Sequence, residues 1–258
     1  MRLLLKPLQW IYSMYAFVSF VAVMLLIFPF AFVASFFGRI KGGNIVIRLC
    51  MLWADCWFAL IFIWPRRIFE VPHDKNKPYI FICNHISFID AAVLVKAIRK
   101  PFRPLGKIEM RKVPVFGFIY DKAIVSVDRS NADNRANSIR LLKSITKKGI
   151  SVMIFPEGTF NMTHKPLKDF FDGAFRVAIE TQTPIKPILF LDTYDRMNYR
   201  SLFSLTPGKC RIIYLDEISV EGLSMTDLPK LKEKAFVIME DKLKKYKASW
   251  IALPQQEG

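Results

Sequence analysis

Charged residues are absent from a long segment near the start of the chain. No residue from 7 to 38 carries a charge, and most of them are Phe, Val, Leu, Ile or Ala. Because about 20 apolar residues suffice to cross the hydrocarbon core of a bilayer, this segment is long enough to span one. It is too long for an ordinary signal peptide and lacks a small-residue cleavage site, so we expect it to be retained.

A second apolar segment, residues 44–64, is interrupted by Arg48 and Asp55. Charges on a membrane-spanning helix are costly. If both segments crossed the bilayer, Arg39 and Lys41 between them would lie on the wrong side under the positive-inside rule. The sequence therefore favours a helical pair that dips into one leaflet from the cytoplasmic face, with a true span as the alternative.

Acidic residues and cysteines are also scarce. The chain has 38 Lys and Arg against 22 Asp and Glu, a net charge of +16, and 52% of its residues are hydrophobic. A chain this basic and apolar suits an anionic membrane surface, and its long apolar segments argue against nucleic-acid binding. The cysteines lack the paired spacing of a metal site, which predicts free thiols in a reducing compartment. They are Cys50, Cys56, Cys83 and Cys210.

Residues 79–90 contain the strongest local pattern for an active site. The segment begins with an apolar, β-branched and aromatic run that predicts a buried strand, and Ser87 is a suitable N-cap for the helix that follows. His85 therefore lies at a strand-to-helix junction, where open α/β sheets place their chemistry. Asp90, in the first helical turn, can fold back on the His85 ring, set its tautomer and stabilise the imidazolium.

A lone His-x4-Asp spacing is a weak signal, since an ordinary capped helix start has the same pattern. Here Asn84 precedes the histidine, and it either orients the loop or simply fits a turn. Further segments follow in order: Lys107-Ile108-Glu109, Val127-Asp128-Arg129, Phe155-Pro156-Glu157-Gly158-Thr159 and Pro184-Ile185-Lys186-Pro187-Ile188. In that order and at those separations, the set resembles the 1-acyl-glycerol-3-phosphate acyltransferase family of glycerolipid acyltransferases. The resemblance covers about residues 70–215.

The resemblance implies an α/β fold with a mostly parallel central sheet flanked by helices, as in glycerol-3-phosphate acyltransferases. An N-terminal two-helix membrane motif is implied in front of it. The segments alternate in a βαβ manner. We predict strands at 79–83, 102–106, 123–127, 150–155, 185–190 and 210–215. We predict helices at 88–98, 132–147, 173–181 and 228–246.

Two domains are predicted. Residues 1–70 form a membrane-associated helical pair, and residues 71–258 form the acyltransferase domain, with its core at 79–215. The C-terminal helix, at about 228–246, packs on the sheet or lies against the membrane. The strand that opens at Pro184 contributes to core packing or lines an acyl channel.

The resemblance assigns His85 as general base and Asp90 as its partner. His85 would remove the proton of an acceptor hydroxyl as its oxygen attacks a thioester. The chain has no Gly-x-Ser-x-Gly elbow to supply a nucleophilic serine, so an acyl-enzyme is not required. One His and one Asp fall short of the three ligands of a metal-dependent hydrolase. We expect no metal and no cofactor beyond acyl-CoA or acyl-carrier protein as co-substrate.

Five residues are predicted to bind substrate. Lys107 can bind the phosphate of the acceptor or help the oxyanion, with a solvated lysine as the alternative. Arg129 is a second anion-binding candidate, with a surface ion pair to Asp128 as the alternative. In the family, the Phe-Pro-Glu-Gly-Thr segment contacts the glycerol-phosphate acceptor, which implies Glu157, Gly158 and Thr159.

The chain departs from the family pattern at Phe160. The family commonly has arginine there in enzymes with a phosphate-bearing acceptor, and arginine is a bidentate phosphate partner. Either downstream cations replace it, or the acceptor is a different lysolipid. The nearest candidates are His164, Lys165, Lys168 and Arg176.

These observations predict a membrane-bound O-acyltransferase. It would move a fatty acyl group from acyl-CoA or acyl-carrier protein to the free hydroxyl of lysophosphatidic acid, giving phosphatidic acid. The alternatives are an acyltransferase for another lysolipid, such as a lyso-aminolipid, and a non-catalytic lipid-binding protein. The expected partners are membrane lipids, the lysolipid acceptor and the acyl donor, and no nucleic acid. The expected location is the inner membrane, with the catalytic domain on the cytoplasmic face.

Overall fold

The structure is a computed structural model, and it describes residues 5–72, 74, 76–128 and 131–251. A seven-stranded sheet has the order β1-β7-β6-β2-β5-β3-β4. Its strands are β1 (Ile63–Phe69), β2 (Ile80–Cys83), β3 (Phe102–Lys107), β4 (Val125–Val127), β5 (Ser151–Ile154), β6 (Ile185–Phe190) and β7 (Gly208–Tyr214). Only the β6–β7 pair is antiparallel in this sheet, so the predicted mostly parallel α/β fold is confirmed.

Helices cover both faces of the sheet. They are α1 (Leu5–Ser35), α2 (Gly43–Leu60), α3 (Asp90–Ala97), α4 (Phe116–Ala123), α5 (Ala132–Thr146), α6 (Gly173–Thr181), α7 (Thr193–Arg196) and α8 (Leu228–Lys245). A π-helical turn spans Gly38–Gly42, and 3-10 helices span Ile108–Lys112 and Met225–Asp227. Helices α1 to α4 share one hydrophobic core, while α5, α6 and α8 share the core on the other face.

The first two helices form a closely packed antiparallel pair. Trp57 donates its indole N–H to the carbonyl oxygen of Ala16 at 2.9 Å. At the turn between the helices, a Cβ on Gly42 would lie 2.3 Å from the carbonyl oxygen of Ala34, so glycine permits the close approach. By length and composition, Lys6–Ser35 and Gly38–Leu60 are each long and apolar enough to cross a membrane.

Strand β1 was not predicted. Residues 63–69, assigned from the sequence to the helical pair, pair in parallel with β7 along their whole length. β1 lies at the edge of the sheet, where a strand tolerates proline and charge. Pro65, Arg66 and Arg67 therefore interrupt the apolar pattern by which strands are recognised. The sheet begins within the region predicted as membrane-associated.

The predicted strands and helices all occur, with ends shifted by up to a few residues, and α4 and α7 are additions. Of the two predicted positions for the C-terminal helix, the structure has the one on the sheet. Leu231, Ala235 and Met239 of α8 are buried in the core that also contains α6. Every residue of β6 is buried, which favours core packing for the segment that Pro184 opens.

Candidate active site

His85 and Asp90 meet at the carboxyl end of β2. The Nδ1 atom of His85 lies 2.9 Å from Oδ2 of Asp90, whose side chain is fully buried. The same oxygen accepts the main-chain N–H groups of Ile86 and Ser87, each at 2.8 Å. N–H donors at the start of a helix stabilise a carboxylate that accepts from them. Because this carboxylate can only accept, Nδ1 carries the proton and Nε2 is the basic nitrogen of His85.

Aromatic rings fix the plane of the imidazole. The His85 ring stacks on Phe155, with centroids 4.0 Å apart and planes 13° apart. Phe160 meets the same ring at 4.4 Å and 61°, and it is itself in edge contact with Phe88 at 5.0 Å. The His85 side chain retains 19% exposure, so part of the ring is accessible from outside.

The main chain at His85 is held by a second buried carboxylate. Oε1 of Glu157 accepts the N–H of His85 at 2.7 Å, and Oε2 accepts the N–H of Lys168 at 2.9 Å. Burial raises the pKa of Glu157 to about 8, although these N–H donors oppose the shift. Both oxygens thus contact the protein's own main chain, and the predicted contact of Glu157 with substrate stays a prediction.

Asn84 and Ser87 shape the loop around the histidine. The Asn84 amide donates to the carbonyl oxygen of Phe190 at 3.0 Å and accepts the N–H of Phe190 at 2.8 Å. Asn84 therefore orients the loop by extending the pairing of β2 with β6. The Ser87 hydroxyl donates to the carbonyl oxygen of Met197 and accepts the N–H of Ile89, so it holds the turn before α3. The N-cap position of α3 is occupied by Ile89, without a side-chain cap, and not by Ser87 as predicted.

The other predicted substrate-binding residues differ in their surroundings. Lys107, at the end of β3, forms an exposed ion pair with Glu109, with Nζ and Oε1 3.4 Å apart. Gly158 has φ +72°, which glycine adopts without strain, and a Cβ there would lie 2.6 Å from the ring of Phe171. Arg129 lies outside the described residues. The roles of these residues stay predictions.

Of the cations downstream of Phe160, Lys168 contacts the Phe-Pro-Glu-Gly-Thr segment. Its Nζ atom donates to Oγ1 of Thr159 at 2.7 Å, directly before Phe160. His164 instead donates from Nδ1 to the carbonyl oxygen of Trp250 and accepts from Arg200, as a loop residue. Sequence reasoning named Lys168 as one of several candidates, and only the fold singles it out.

The arrangement supplies a base and holds it in a fixed position. His85 presents a basic nitrogen at the carboxyl edge of the sheet, and two carboxylates fix its ring and its main chain. Within the described residues, no group of three or more His, Cys, Asp or Glu side chains is arranged to hold a metal ion. Proton transfer by His85 is the chemistry that these contacts support.

Comparisons with known proteins find acyltransferases. A family model described as acyltransferase matches residues 67–191. A mouse protein, 1-acyl-sn-glycerol-3-phosphate acyltransferase alpha, is 26% identical over 200 residues, covering 75% of this chain and 69% of the relative. A coconut 1-acyl-sn-glycerol-3-phosphate acyltransferase is 29% identical over 204 residues, covering 77% of this chain and 61% of the relative.

A solved structure has the same fold. The crystal structure of the 1-acyl-sn-glycerophosphate acyltransferase PlsC from Thermotoga maritima superposes with a TM-score of 0.76. The two sequences are 21% identical, and the match covers 97% of this chain and 99% of that one. The likeness therefore includes the N-terminal helices as well as the sheet.

Proposed function

Because the chain belongs to the 1-acyl-sn-glycerol-3-phosphate acyltransferase family of glycerolipid acyltransferases, we propose that it acylates the free hydroxyl of lysophosphatidic acid to give phosphatidic acid. The observation that carries the proposal is the bond between His85 Nδ1 and Asp90 Oδ2, which leaves Nε2 as the base. The acyl donor is a thioester, acyl-CoA or acyl-carrier protein, and serves as a co-substrate.

In the proposed reaction, His85 Nε2 takes the proton of the acceptor hydroxyl as its oxygen bonds to the thioester carbonyl carbon. The negative Asp90 carboxylate stabilises the imidazolium that forms. The tetrahedral intermediate then breaks its carbon–sulfur bond, and the imidazolium returns the proton to the departing thiolate. The products are an ester and a free thiol, and no covalent bond to the protein is formed.

Lys168 is our proposed partner for the acceptor's phosphate. Phe160 cannot bind a phosphate, whereas the Lys168 ammonium lies 2.7 Å from the Thr159 hydroxyl in the adjoining turn. An ammonium binds phosphate as a point charge, with less geometric selectivity than a guanidinium. The second candidate acceptor is a phosphate-free lysolipid such as a lyso-aminolipid. It is favoured by the packing of the apolar Phe160 ring against His85.

We also propose that the protein is bound to the cytoplasmic face of the inner membrane by α1 and α2. Gln9 donates to the carbonyl oxygen of Ser204 near the start of α1, and Phe28 packs on Phe118 of α4 towards its end. A helix fastened to the domain at both ends lies along it and cannot cross a bilayer alone. Its outward side carries large apolar residues that suit insertion into one leaflet. They include Leu8, Ile11, Phe17, Val18, Leu26, Phe30 and Val33.

Single-cysteine labelling tests this placement. In a background with the native cysteines replaced by serine, Lys6→Cys and Lys41→Cys are treated with a membrane-impermeant maleimide on inside-out and right-side-out vesicles. In the one-leaflet arrangement, both cysteines react only in inside-out vesicles. Reaction of the two on opposite sides would show a spanning α1 and overturn the proposal.

An acyl-transfer assay on the detergent-solubilised protein tests the reaction. Acyl-CoA and acyl-carrier protein are each offered with lysophosphatidic acid and with a panel of lyso-aminolipids, and His85→Ala is the control. We expect phosphatidic acid from the wild type and none from His85→Ala, with both proteins equally folded by circular dichroism. Turnover retained in His85→Ala would overturn the mechanism, and product only from phosphate-free acceptors would move the enzyme to the second candidate acceptor.

A further inference from the structure

A cavity of about 480 Å³ lies between the turn of the helical pair and α4. Its size falls within the range of small-ligand sites, about 300–1,000 Å³. On one side it is lined by the end of α1, the π-helical turn and the start of α2, and on the other by Arg111 and the end of α4. The cavity is therefore built jointly by the membrane motif and the catalytic domain.

The charged residues of this lining are mostly cations. Arg39, Arg111 and Lys122 face a single carboxylate, Asp121, among the lining residues. Asp121 lies 2.6 Å from Nη2 of Arg111 and 3.6 Å from Nζ of Lys122, so one acid is shared between two bases. Two positive charges in excess remain at the cavity.

The buried guanidinium of Arg103, behind the cavity, adds to this excess of positive charge. Arg103 is only 4% exposed, and its Nη2 donates to Oδ1 of Asn44 at 2.9 Å and to the carbonyl oxygen of Ile40 at 3.2 Å. These acceptors are uncharged. Burial, with a smaller contribution from Arg39, lowers the pKa of Arg103 to about 10, which leaves it positively charged at neutral pH.

The turn is packed directly onto this guanidinium. A Cβ on Gly43 would lie 2.5 Å from Nη2 of Arg103 and 3.0 Å from the carbonyl oxygen of Lys122. The start of α2 therefore brings its backbone against Arg103 and the end of α4. Cations held this close repel one another, and a bound anion relieves that repulsion.

The cavity is distinct from the site at His85. Arg103 is the second residue of β3, and His85 lies two residues after the last residue of β2. The two strands run in the same direction, since both pair in parallel with β5. The cavity thus lies at the amino end of the sheet, at the end of α1 away from Gln9, while His85 lies at the carboxyl end.

We propose that this cavity binds the phosphate of an anionic phospholipid headgroup and so fixes the turn of the helical pair at the membrane surface. The oxygens of a phosphate can accept hydrogen bonds from the guanidinium and ammonium groups that line the cavity. That the phosphate belongs to a lipid rests on the membrane placement proposed above. Free inorganic phosphate could make the same contacts and is the alternative ligand.

Vesicle sedimentation tests the proposal with the full-length protein. The vesicles contain either phosphatidylcholine alone or equal parts phosphatidylcholine and phosphatidylglycerol. The variant Arg39→Gln/Lys122→Gln removes two lining cations. The matched control, Lys230→Gln/Lys234→Gln, removes two exposed lysines from α8 on the other face of the sheet. We expect the preference for anionic vesicles to fall about tenfold in the cavity variant and less than about threefold in the control.

Asp121→Asn is expected to change the binding to anionic vesicles in the opposite direction. It removes the one carboxylate of the lining, so we expect tighter binding to anionic vesicles. This variant keeps the proposal testable if the double variant fails to fold. Equal losses in the cavity and control variants, or unchanged or weaker anionic binding by Asp121→Asn, would overturn the cavity as a headgroup site.

Two further measurements separate the possible failures. If inorganic phosphate at constant ionic strength raises the thermal midpoint of the wild type but not of Arg39→Gln/Lys122→Gln, and vesicles show no preference, the ligand is free phosphate and the lipid proposal is wrong. Acyl transfer in a neutral detergent is expected to be equal in all of these variants and the wild type. Activity present without headgroup preference would leave the proposed function standing while the cavity proposal fails.

Discussion

Two buried carboxylates hold His85, and they act on different parts of it. Asp90 bonds the imidazole Nδ1 at 2.9 Å, whereas Glu157 accepts the main-chain N–H at 2.7 Å. Each also accepts N–H groups from neighbouring loops. Asp90 therefore governs which ring nitrogen is basic, and Glu157 governs where the ring lies.

The surroundings of Asp90 and Glu157 also differ, in a way that matches these two roles. Asp90 lies in the first turn of α3, where the partial positive charge of the helix start favours an anion. Glu157 lies in a turn between β5 and α6, and burial raises its pKa to about 8. An anion at the helix start suits a residue that stabilises an imidazolium, while a positioning residue requires only its hydrogen bonds.

Asp90→Asn is expected to have the largest effect. An amide can donate to Nδ1, which would place the proton on Nε2 and remove the base. We expect kcat to fall about 10³- to 10⁴-fold, with KM for the lysolipid little changed. Steady-state kinetics in detergent measure this, with circular dichroism as the control for folding. A fall of less than tenfold would show that Asp90 does not set the tautomer.

Glu157→Gln is expected to have an intermediate effect. The oxygen of its amide can accept one of the two main-chain N–H groups, but its NH2 group then faces the other N–H, and neither can accept. Leaving that buried donor without an acceptor costs about 1–3 kcal/mol of stability. The resulting shift of the His85 loop should lower kcat by about 10- to 100-fold. The control is Glu233→Gln at an exposed position of α8, with unchanged kinetics expected. Wild-type kcat in Glu157→Gln would contradict the positioning role.

Glu157 should also make stability depend on pH. The folded protein holds a proton on Glu157 up to about pH 8, whereas the unfolded chain releases it near 4.5. The free energy of unfolding should therefore fall as pH rises through this window, by up to about 1.4 kcal/mol per pH unit. Denaturation at several pH values, compared with Glu157→Gln, isolates this slope. Identical slopes in the two proteins would refute it.

The loop at His85 was predictable because its signals are local. A β-branched run, a polar break and an apolar helix start follow one another within residues 79–90, and the strand, the loop and α3 form close to the predicted positions. Strand β1 escaped prediction because an edge strand needs no apolar alternation. Helix α4 begins after Val115, which has φ +61°, a backbone conformation with no sequence signal in a β-branched residue.

The supports of the site were not predictable. Glu157 reaches the main chain of His85 across 72 positions of sequence, and the stacking of Phe155 on the ring depends on two strands being neighbours. Such contacts arise only once β2 and β5 have paired. Residue types and their order therefore indicated the reaction, while the division of labour between the two carboxylates required the fold.

Lys168→Gln tests whether the segment that Glu157 anchors also binds the acceptor. The Lys168 main chain bonds Glu157 and its ammonium bonds Thr159, so the substitution keeps the bond to Glu157 and removes the ammonium with its bond to Thr159. We expect KM for lysophosphatidic acid to rise about tenfold, the size of one charge-assisted hydrogen bond, with kcat unchanged. Lys165→Gln, an exposed neighbour, is the matched control. Equal KM values in both variants would remove Lys168 from the phosphate site.

Phe160→Leu should have the smallest effect, because the two carboxylates still hold His85 when the ring contact is lost. The substitution keeps an apolar side chain but removes the edge contact with the imidazole at 4.4 Å. Such contacts are worth about 0.5–1.5 kcal/mol, so kcat should fall between about twofold and tenfold. Phe160→Arg extends the test, since a guanidinium there should lower KM for lysophosphatidic acid if phosphate binds nearby. If Phe160→Arg instead lowers activity on every phosphate-bearing acceptor, the native site is built around an apolar group, and the phosphate-free lysolipid becomes the acceptor that the packing around His85 selects.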